Sequence, residues 1–252
     1  MREKWEFQFD PAIELMKQNG VNGVLFDYDD TFCATADYMG WVMEVYAAKV
    51  ARNLSIDSET VLERVNYHNT RLYKEYFVNP IRWNKTSECV SLDLTGKIDT
   101  LKREERVFMR IFENVPELFP GVKTILKSLS KSGMKVGMVT HATLDWTMLK
   151  LERHGIIGYI DHLQLADVNK HKSIEDWRLG VEGLGLLPSQ VIGTGDSISG
   201  DVIPMLELGM RGVLALPNSW SVNHAEVPAR AVEISGINYF FEGVERVLAG
   251  KI

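Results

Sequence analysis

Short apolar runs, each broken by a polar residue at or just beyond its C-terminal end, set the rhythm of this chain. Val21 to Phe26 stops at Asp27, Lys135 to Val139 at Thr140, Tyr159 to Leu165 near Asp167, and Val191 to Gly193 before Asp196; Arg211 to Leu216 closes the series. Runs rich in Val, Ile and Leu and bounded by turn residues predict buried parallel strands. From residue 120 onward, amphipathic segments lie between them. Pro120-Gly121 opens a segment from Val122 that ends at Gly133. Leu144 to His154 stops at Gly155, Ile174 to Leu184 at Gly185, and Val202 to Leu208 at Gly209. A glycine past the last periodic residue is a helix stop. Strand alternating with helix predicts an α/β fold with a doubly wound parallel sheet.

Residues 34 to 113 break that rhythm. Tyr38–Leu54 and Ser58–Tyr76 predict helices and Leu101–Glu113 a third, Asn79-Pro80 marks a turn, and 85–97 is polar without a clear pattern. The stretch is expected to be an all-helical insertion, 34–113, within an α/β unit made of 1–33 and 114–252. At the N-terminus Trp5, Phe7 and Phe9 alternate, and Ile13, Leu15 and Met16 follow a helix start at Pro11; these are expected to pack on the core.

Composition narrows the class without naming a function. At 252 residues, 45% apolar and 25% charged, the chain can bury a sizeable core and resembles neither a disordered nor a fibrous protein. A net charge of −6 gives no basic footprint, so a nucleic-acid partner is not expected. Cys33 and Cys89 form no CxxC pair, which fits free thiols in a reducing compartment. No apolar run follows Arg2 and Lys4, and none approaches the roughly 20 residues of a membrane span. The expectation is a soluble, cytoplasmic protein without a membrane partner.

In open α/β sheets ligands bind beyond the carboxyl ends of the strands, and the polar residues there carry the candidate chemistry. Phe26–Thr31 reads FDYDDT. If the chain turns after Asp27, the Asp29 carboxylate can face that of Asp27, one as nucleophile and one as acid/base. Taken alone, the segment reads first as a polar turn capping the next helix. Thr140 ends the second run and could bind an anionic oxygen, or simply cap a helix. Lys170 and Lys172 lie in NKHKS, where a lysine can neutralise a phosphate or hold a carboxylate. Asp196 and Asp201 lie in GTGDSISGD, a permissive loop whose two carboxylates suit Mg²⁺.

Each signal is modest, but their order and placement are specific. A strand-end DxDxT, a strand-end Thr, a Lys and a strand-end GDxxxxD resemble the four motifs of the haloacid dehalogenase superfamily. The resemblance spans the α/β unit, including Pro120-Gly121 and GMRGVLAL, Gly209 to Leu216. It implies a Rossmann-like core with an all-helical cap inserted after the first motif. It also implies that Asp27 is a nucleophile forming an aspartyl-phosphate and that Asp29 is the acid/base. Thr140 and Lys172 would hold the transferring phosphoryl group, with Lys170 the alternative lysine. Mg²⁺ would sit on Asp27, Asp196 and the carbonyl of Asp29, and Asp201 would orient the lysine or the metal waters. Asp30 stands where Gly is most common, His141 where Asn or Ser is frequent, and Ser173 where Pro is usual.

Members of that superfamily that cleave carbon–halogen or carbon–phosphorus bonds generally lack an acid at the position of Asp29, so the resemblance implies phosphate-ester chemistry. The implied function is a Mg²⁺-dependent phosphatase acting on a small soluble phosphate monoester. The alternatives are a phosphomutase on a small sugar phosphate and a non-catalytic scaffold of the same fold. Thr31 and His141 are candidate substrate contacts. In the insertion, Arg71, Lys74 or Arg82 could meet an anion and Tyr67 or Trp83 could stack on a ring, though aromatic residues at helical spacing usually pack.

Overall fold

All four residues of β1 (Gly23–Phe26) are buried, because a central strand covered on both faces has no solvent side to alternate toward. In this computed structural model, which describes residues 10–216 and 226–250, β1 pairs in parallel with β2 (Lys135–Thr140) and β4 (Val191–Gly195). On one side β2 is followed by β3 (His162–Leu165); on the other, β4 is followed by β5 (Gly212–Ala215) and β6 (Val232–Glu233). The order is β3-β2-β1-β4-β5-β6, all parallel. β6 is two residues long, too short to leave a periodic trace in the sequence. The strand order reverses beside β1, so the carboxyl ends of β1, β2 and β4 meet at the point where such sheets bind ligands.

Helices cover both faces, as the period of two along the strands requires. Val24, Phe26, Val136 and Met138 pack with α1 (Asp10–Gln18), α6 (Val122–Lys131) and α10 (Phe240–Leu248). Leu25, Val139 and Val213 pack with α8 (Ile174–Gly183) and α9 (Ile203–Leu208). Ile13 and Met16 of α1 are buried in the first of these clusters; Trp5, Phe7 and Phe9 lie outside the described residues. Cys33 and Cys89 are unbridged. No helix among the described residues is long and apolar enough to cross a membrane.

Between β1 and α6 stand α2 (Thr35–Leu54), α3 (Ser58–Tyr76), α4 (Ile81–Thr95) and one-turn α5 (Arg106–Met109). Their own core includes Val42, Tyr46, Val65, Trp83 and Phe108, and it rests on Ala142 and Trp146 beyond β2. Two sequence expectations differ from the structure here. Residues 85–97 fall largely within α4, whose buried face is mostly polar: Arg82, Thr86, Ser87 and Ser91 lie inside it beside Trp83 and Val90. Local bonds satisfy that face, with Thr86 donating to Arg82 O and Ser87 meeting the Tyr46 hydroxyl. Leu101–Glu113 is not one helix but α5 between two 3-10 turns. Glu104 and Glu105 are buried there and accept from Asn53 and Asn84, tertiary bonds that override helix propensity.

Candidate active site

Asp27 is the first residue beyond β1, and its N–H extends the ladder to Thr194 O at 2.9 Å. The strand therefore delivers its side chain to the strand-end crevice, where it is 4% exposed. Oδ1 lies 2.5 Å from Lys172 Nζ, while Oδ2 is buried with no hydrogen-bond partner. Lys172 also lies 2.6 Å from Asp201 Oδ1 and donates to Val139 O at 3.3 Å. Burial alone would favour a neutral lysine, but Asp201 and Asp27 outweigh it and hold Lys172 protonated.

Oxygens of Asp27, Asp196 and Asp201 lie within 4.8 Å of one another. Burial raises the carboxyl groups of Asp27 and Asp196 above the ordinary range, and the neighbouring carboxylates add to it, while Lys172 lowers both. Three carboxyl groups share one ammonium, so full ionisation of the cluster would leave two negative charges for a cation to offset. Together with the orphaned Asp27 Oδ2, an all-oxygen donor set of this charge fits a hard divalent cation such as Mg²⁺. Asp201 sits where it does because residue 195 is glycine: a Cβ there would lie 2.5 Å from Asp201 Oδ2 and 2.6 Å from its Cβ.

Asp29 Oδ1 accepts from Thr35 Oγ1 and from Lys150 Nζ, each at 2.5 Å, and the Thr140 hydroxyl stands 3.5 Å from Oδ2. Lys150 lies on α7 (Leu144–His154) and is wholly buried. Nothing in the sequence signals it, since a lone lysine inside a helix reads as surface. The turn itself passes through Asp30 at φ 61°, a left-handed conformation open to Gly, Asn and Asp. Asp30 also accepts from Ala36 N at 2.8 Å, tying the turn to α2.

The other candidates divide. Thr31 and Thr140 are fully buried, and the Thr31 hydroxyl has no hydrogen-bond partner. His141 donates from Nε2 to Asp167 O at 3.0 Å, and burial, aided by Lys172, pulls its pKa down to about 4. Lys170 is exposed and pairs with Asp167 at 3.4 Å, so Lys172, not Lys170, reaches Asp27. Arg71 is exposed and donates to Cys89 Sγ at 3.4 Å, in a cleft between α3 and α4 that it shares with Tyr67 and His68. The helical segment meets the strand ends elsewhere. Asn79 donates to Asn169 at 2.7 Å, and the rings of Tyr73 and Phe77 stand 6.4 and 4.7 Å from His171. Burial raises the Tyr73 phenol, which also feels the charges of Arg82, Lys172 and Asp196. Arg82 is 4% exposed, with its guanidinium 5.1 Å from the centres of the Tyr73 and Trp83 rings.

Residues 24–214 match the family model described as haloacid dehalogenase-like hydrolase. A glyceraldehyde 3-phosphate phosphatase from Methanocaldococcus jannaschii is 25% identical over 206 residues, 79% of this chain and 87% of that protein. A haloacid dehalogenase-like family hydrolase from Xanthomonas campestris superposes with a TM-score of 0.71 at 16% identity, covering 92% of this chain and 93% of the other. The magnesium-bound HAD-hydrolase YfnB from Bacillus subtilis does so with a TM-score of 0.65 at 14% identity, covering 89% and 99%.

Proposed function

The chain belongs to the haloacid dehalogenase-like hydrolases, and on that premise we propose that it is a Mg²⁺-dependent phosphatase acting on a small soluble phosphate monoester through an aspartyl-phosphate. The observation that carries this reading is Asp27. Its carboxylate sits at the end of the central strand with one oxygen on Lys172 and the other buried without a partner, two residues before a second carboxylate. The phosphatase named among its relatives is consistent with the same chemistry.

In the first step a carboxylate oxygen of Asp27 attacks phosphorus. The ester P–O bond breaks, and its electron pair leaves with the alcohol oxygen, which takes a proton from Asp29. In the second, water attacks the phosphorus of the aspartyl-phosphate, Asp29 takes its proton, and the Asp27 O–P pair returns to the carboxylate. Lys172 holds Asp27 in line and neutralises part of the phosphoryl charge, and the Thr140 hydroxyl hydrogen-bonds the phosphoryl group. Mg²⁺ held by Asp27, Asp196 and the carbonyl of Asp29, with Asp201 orienting Lys172 or the metal's waters, would offset the repulsion between anionic nucleophile and anionic phosphate. Thr31 and His141 border the site as substrate contacts. Residues 34–113 act as a cap over the catalytic unit formed by 1–33 and 114–252. The Tyr73–Arg82 region leans on the strand ends, which favours a substrate small enough to fit beneath it.

The deciding assay is Mg²⁺-dependent phosphate release from a panel of small phosphate esters by wild type and Asp27→Asn. EDTA-sensitive turnover that vanishes in Asp27→Asn is expected, because an amide is a poor nucleophile. Turnover that survives in Asp27→Asn would overturn the assignment of the nucleophile.

A further inference from the structure

We infer that Lys150 is a positioning residue for Asp29, holding one carboxyl oxygen so that the other is presented for proton transfer. The inference rests on the phosphatase reading above, in which Asp29 is the proton donor and acceptor. Lys150 is 0% exposed. Its ammonium stands 4.0 Å from the centre of the Trp146 ring, 4.5 Å from that of Tyr28 and 2.5 Å from Asp29 Oδ1. A buried ammonium needs a carboxylate and is helped by aromatic faces; Asp29 is the carboxylate within reach among the described residues. The aromatic wall is itself fixed. The Tyr28 hydroxyl meets His154 Nδ1 at 2.9 Å, and His154 Nε2 donates to Pro116 O at 2.9 Å. The indole of Trp146 donates to Asn114 O at 3.0 Å.

The contacts on Asp29 are asymmetric. Lys150 and Thr35 both hold Oδ1, and Oδ2 has the Thr140 hydroxyl at 3.5 Å. A carboxyl group transfers its proton through one oxygen. With Oδ1 occupied by an ammonium and a hydroxyl, that oxygen is Oδ2, on the side of Thr140 at the strand ends. Oδ2 gives its proton to the departing alcohol oxygen and later takes one from water. Without Lys150 the carboxyl group turns about its own side-chain bonds, and the proton is out of place when the ester bond breaks.

Leaving-group dependence tests this. An alkoxide needs the proton as it departs, whereas p-nitrophenolate departs as a stabilised anion. Because kcat/KM covers only the steps through phosphoenzyme formation, it reads the leaving-group step. Wild type, Lys150→Met and Asp29→Asn are compared on an alkyl phosphate and on p-nitrophenyl phosphate. Lys150→Met is expected to lose about tenfold to a hundredfold on the alkyl ester, less than the loss in Asp29→Asn, and about threefold or less on the aryl ester. The ratio of the two esters on one preparation does not depend on how much protein is folded. Equal losses on both esters in Lys150→Met, beside a selective loss in Asp29→Asn, overturn the inference and leave the phosphatase reading standing. The alkyl ester is the best-used one of the panel above; a wild type that turns over no ester of that panel, or an Asp29→Asn variant without selectivity, overturns that reading and this inference with it. Should Lys150→Met not fold, Lys150→Leu, which likewise removes the donor to Oδ1, is read in the same way.

Discussion

Lys172 is the ammonium that stands between Asp27 and Asp201, at 2.5 and 2.6 Å. Its removal leaves two buried carboxylates facing each other. Breaking a buried pair by deleting one partner costs about 3–5 kcal/mol, because the surviving charge is stranded. Lys172→Met is therefore expected to lose stability of that order in urea unfolding and to lose turnover. Adding Asp201→Asn to it should recover part of the stability but none of the turnover. A recovery of both would mean that Lys172 matters to folding and not to the chemistry. At this scale the sequence is legible where a residue sits at a strand end. Asp27, Thr140 and Asp196 are visible in that way; Lys172 lies in the segment between β3 and α8, where the resemblance prefers it to Lys170, and its ammonium is the one on Asp27. Lys150 is illegible, because its reach to Asp29 is created by packing α7 against Tyr28, and helical spacing records no such partner.

Close approach between elements sets the second scale. Gly195 ends β4 against the helical turn Ile198–Val202 that carries Asp201, and a methyl group there would meet Asp201 Oδ2 at 2.5 Å. Gly195→Ala is expected to cost about 1–3 kcal/mol of stability as an overpacked site and about tenfold or more in turnover, because Asp201 and then Lys172 must move. Unchanged turnover with the expected loss of stability would separate Asp201 from the reaction. The seam between α7 and the loop before α6 carries a pH dependence. His154 bridges Tyr28 and Pro116 as a neutral ring, and burial lowers its pKa from 6.5, with Lys150 adding to the effect. A histidine with a depressed pKa in the folded state contributes stability above its unfolded pKa and loses it as pH falls through the folded value. Wild-type stability should thus decline below about pH 6.5, and more steeply than that of His154→Gln in urea melts across this range. Parallel curves would remove His154 from the acid response. Elements are readable from sequence where a stop residue or a clear apolar period marks them. α7 is legible to its end at Gly155 although Thr147, Lys150 and His154 lie on its buried face, whereas α4 hides a polar buried face and β6 has only two residues.

Charge from distant parts of the chain is gathered at the switch point of the sheet, where three carboxyl groups surround the Lys172 ammonium. Asp27 comes from β1, and Asp196 and Asp201 from the segment after β4, so only the closed sheet brings their oxygens within 4.8 Å. The unfolded chain holds no such group, so a divalent cation should bind the folded state almost exclusively. Binding to the folded state alone stabilises it by RT ln(1 + [L]/Kd), about 2.7 kcal/mol when the cation is at a hundred times its Kd. Mg²⁺ is therefore expected to raise the melting temperature progressively with concentration, in the absence of any substrate, and EDTA to reverse the rise. Asp196→Asn relieves repulsion among the carboxylates, so it should melt higher than wild type without metal, yet respond less to Mg²⁺. That crossing of two effects is the informative part. A general salt effect would raise both proteins equally, and a structural role for Asp196 would lower the variant at every Mg²⁺ concentration. Either result would mean that the carboxylates at the strand ends are balanced by Lys172 without a divalent cation, and would remove Mg²⁺ from the proposed reaction.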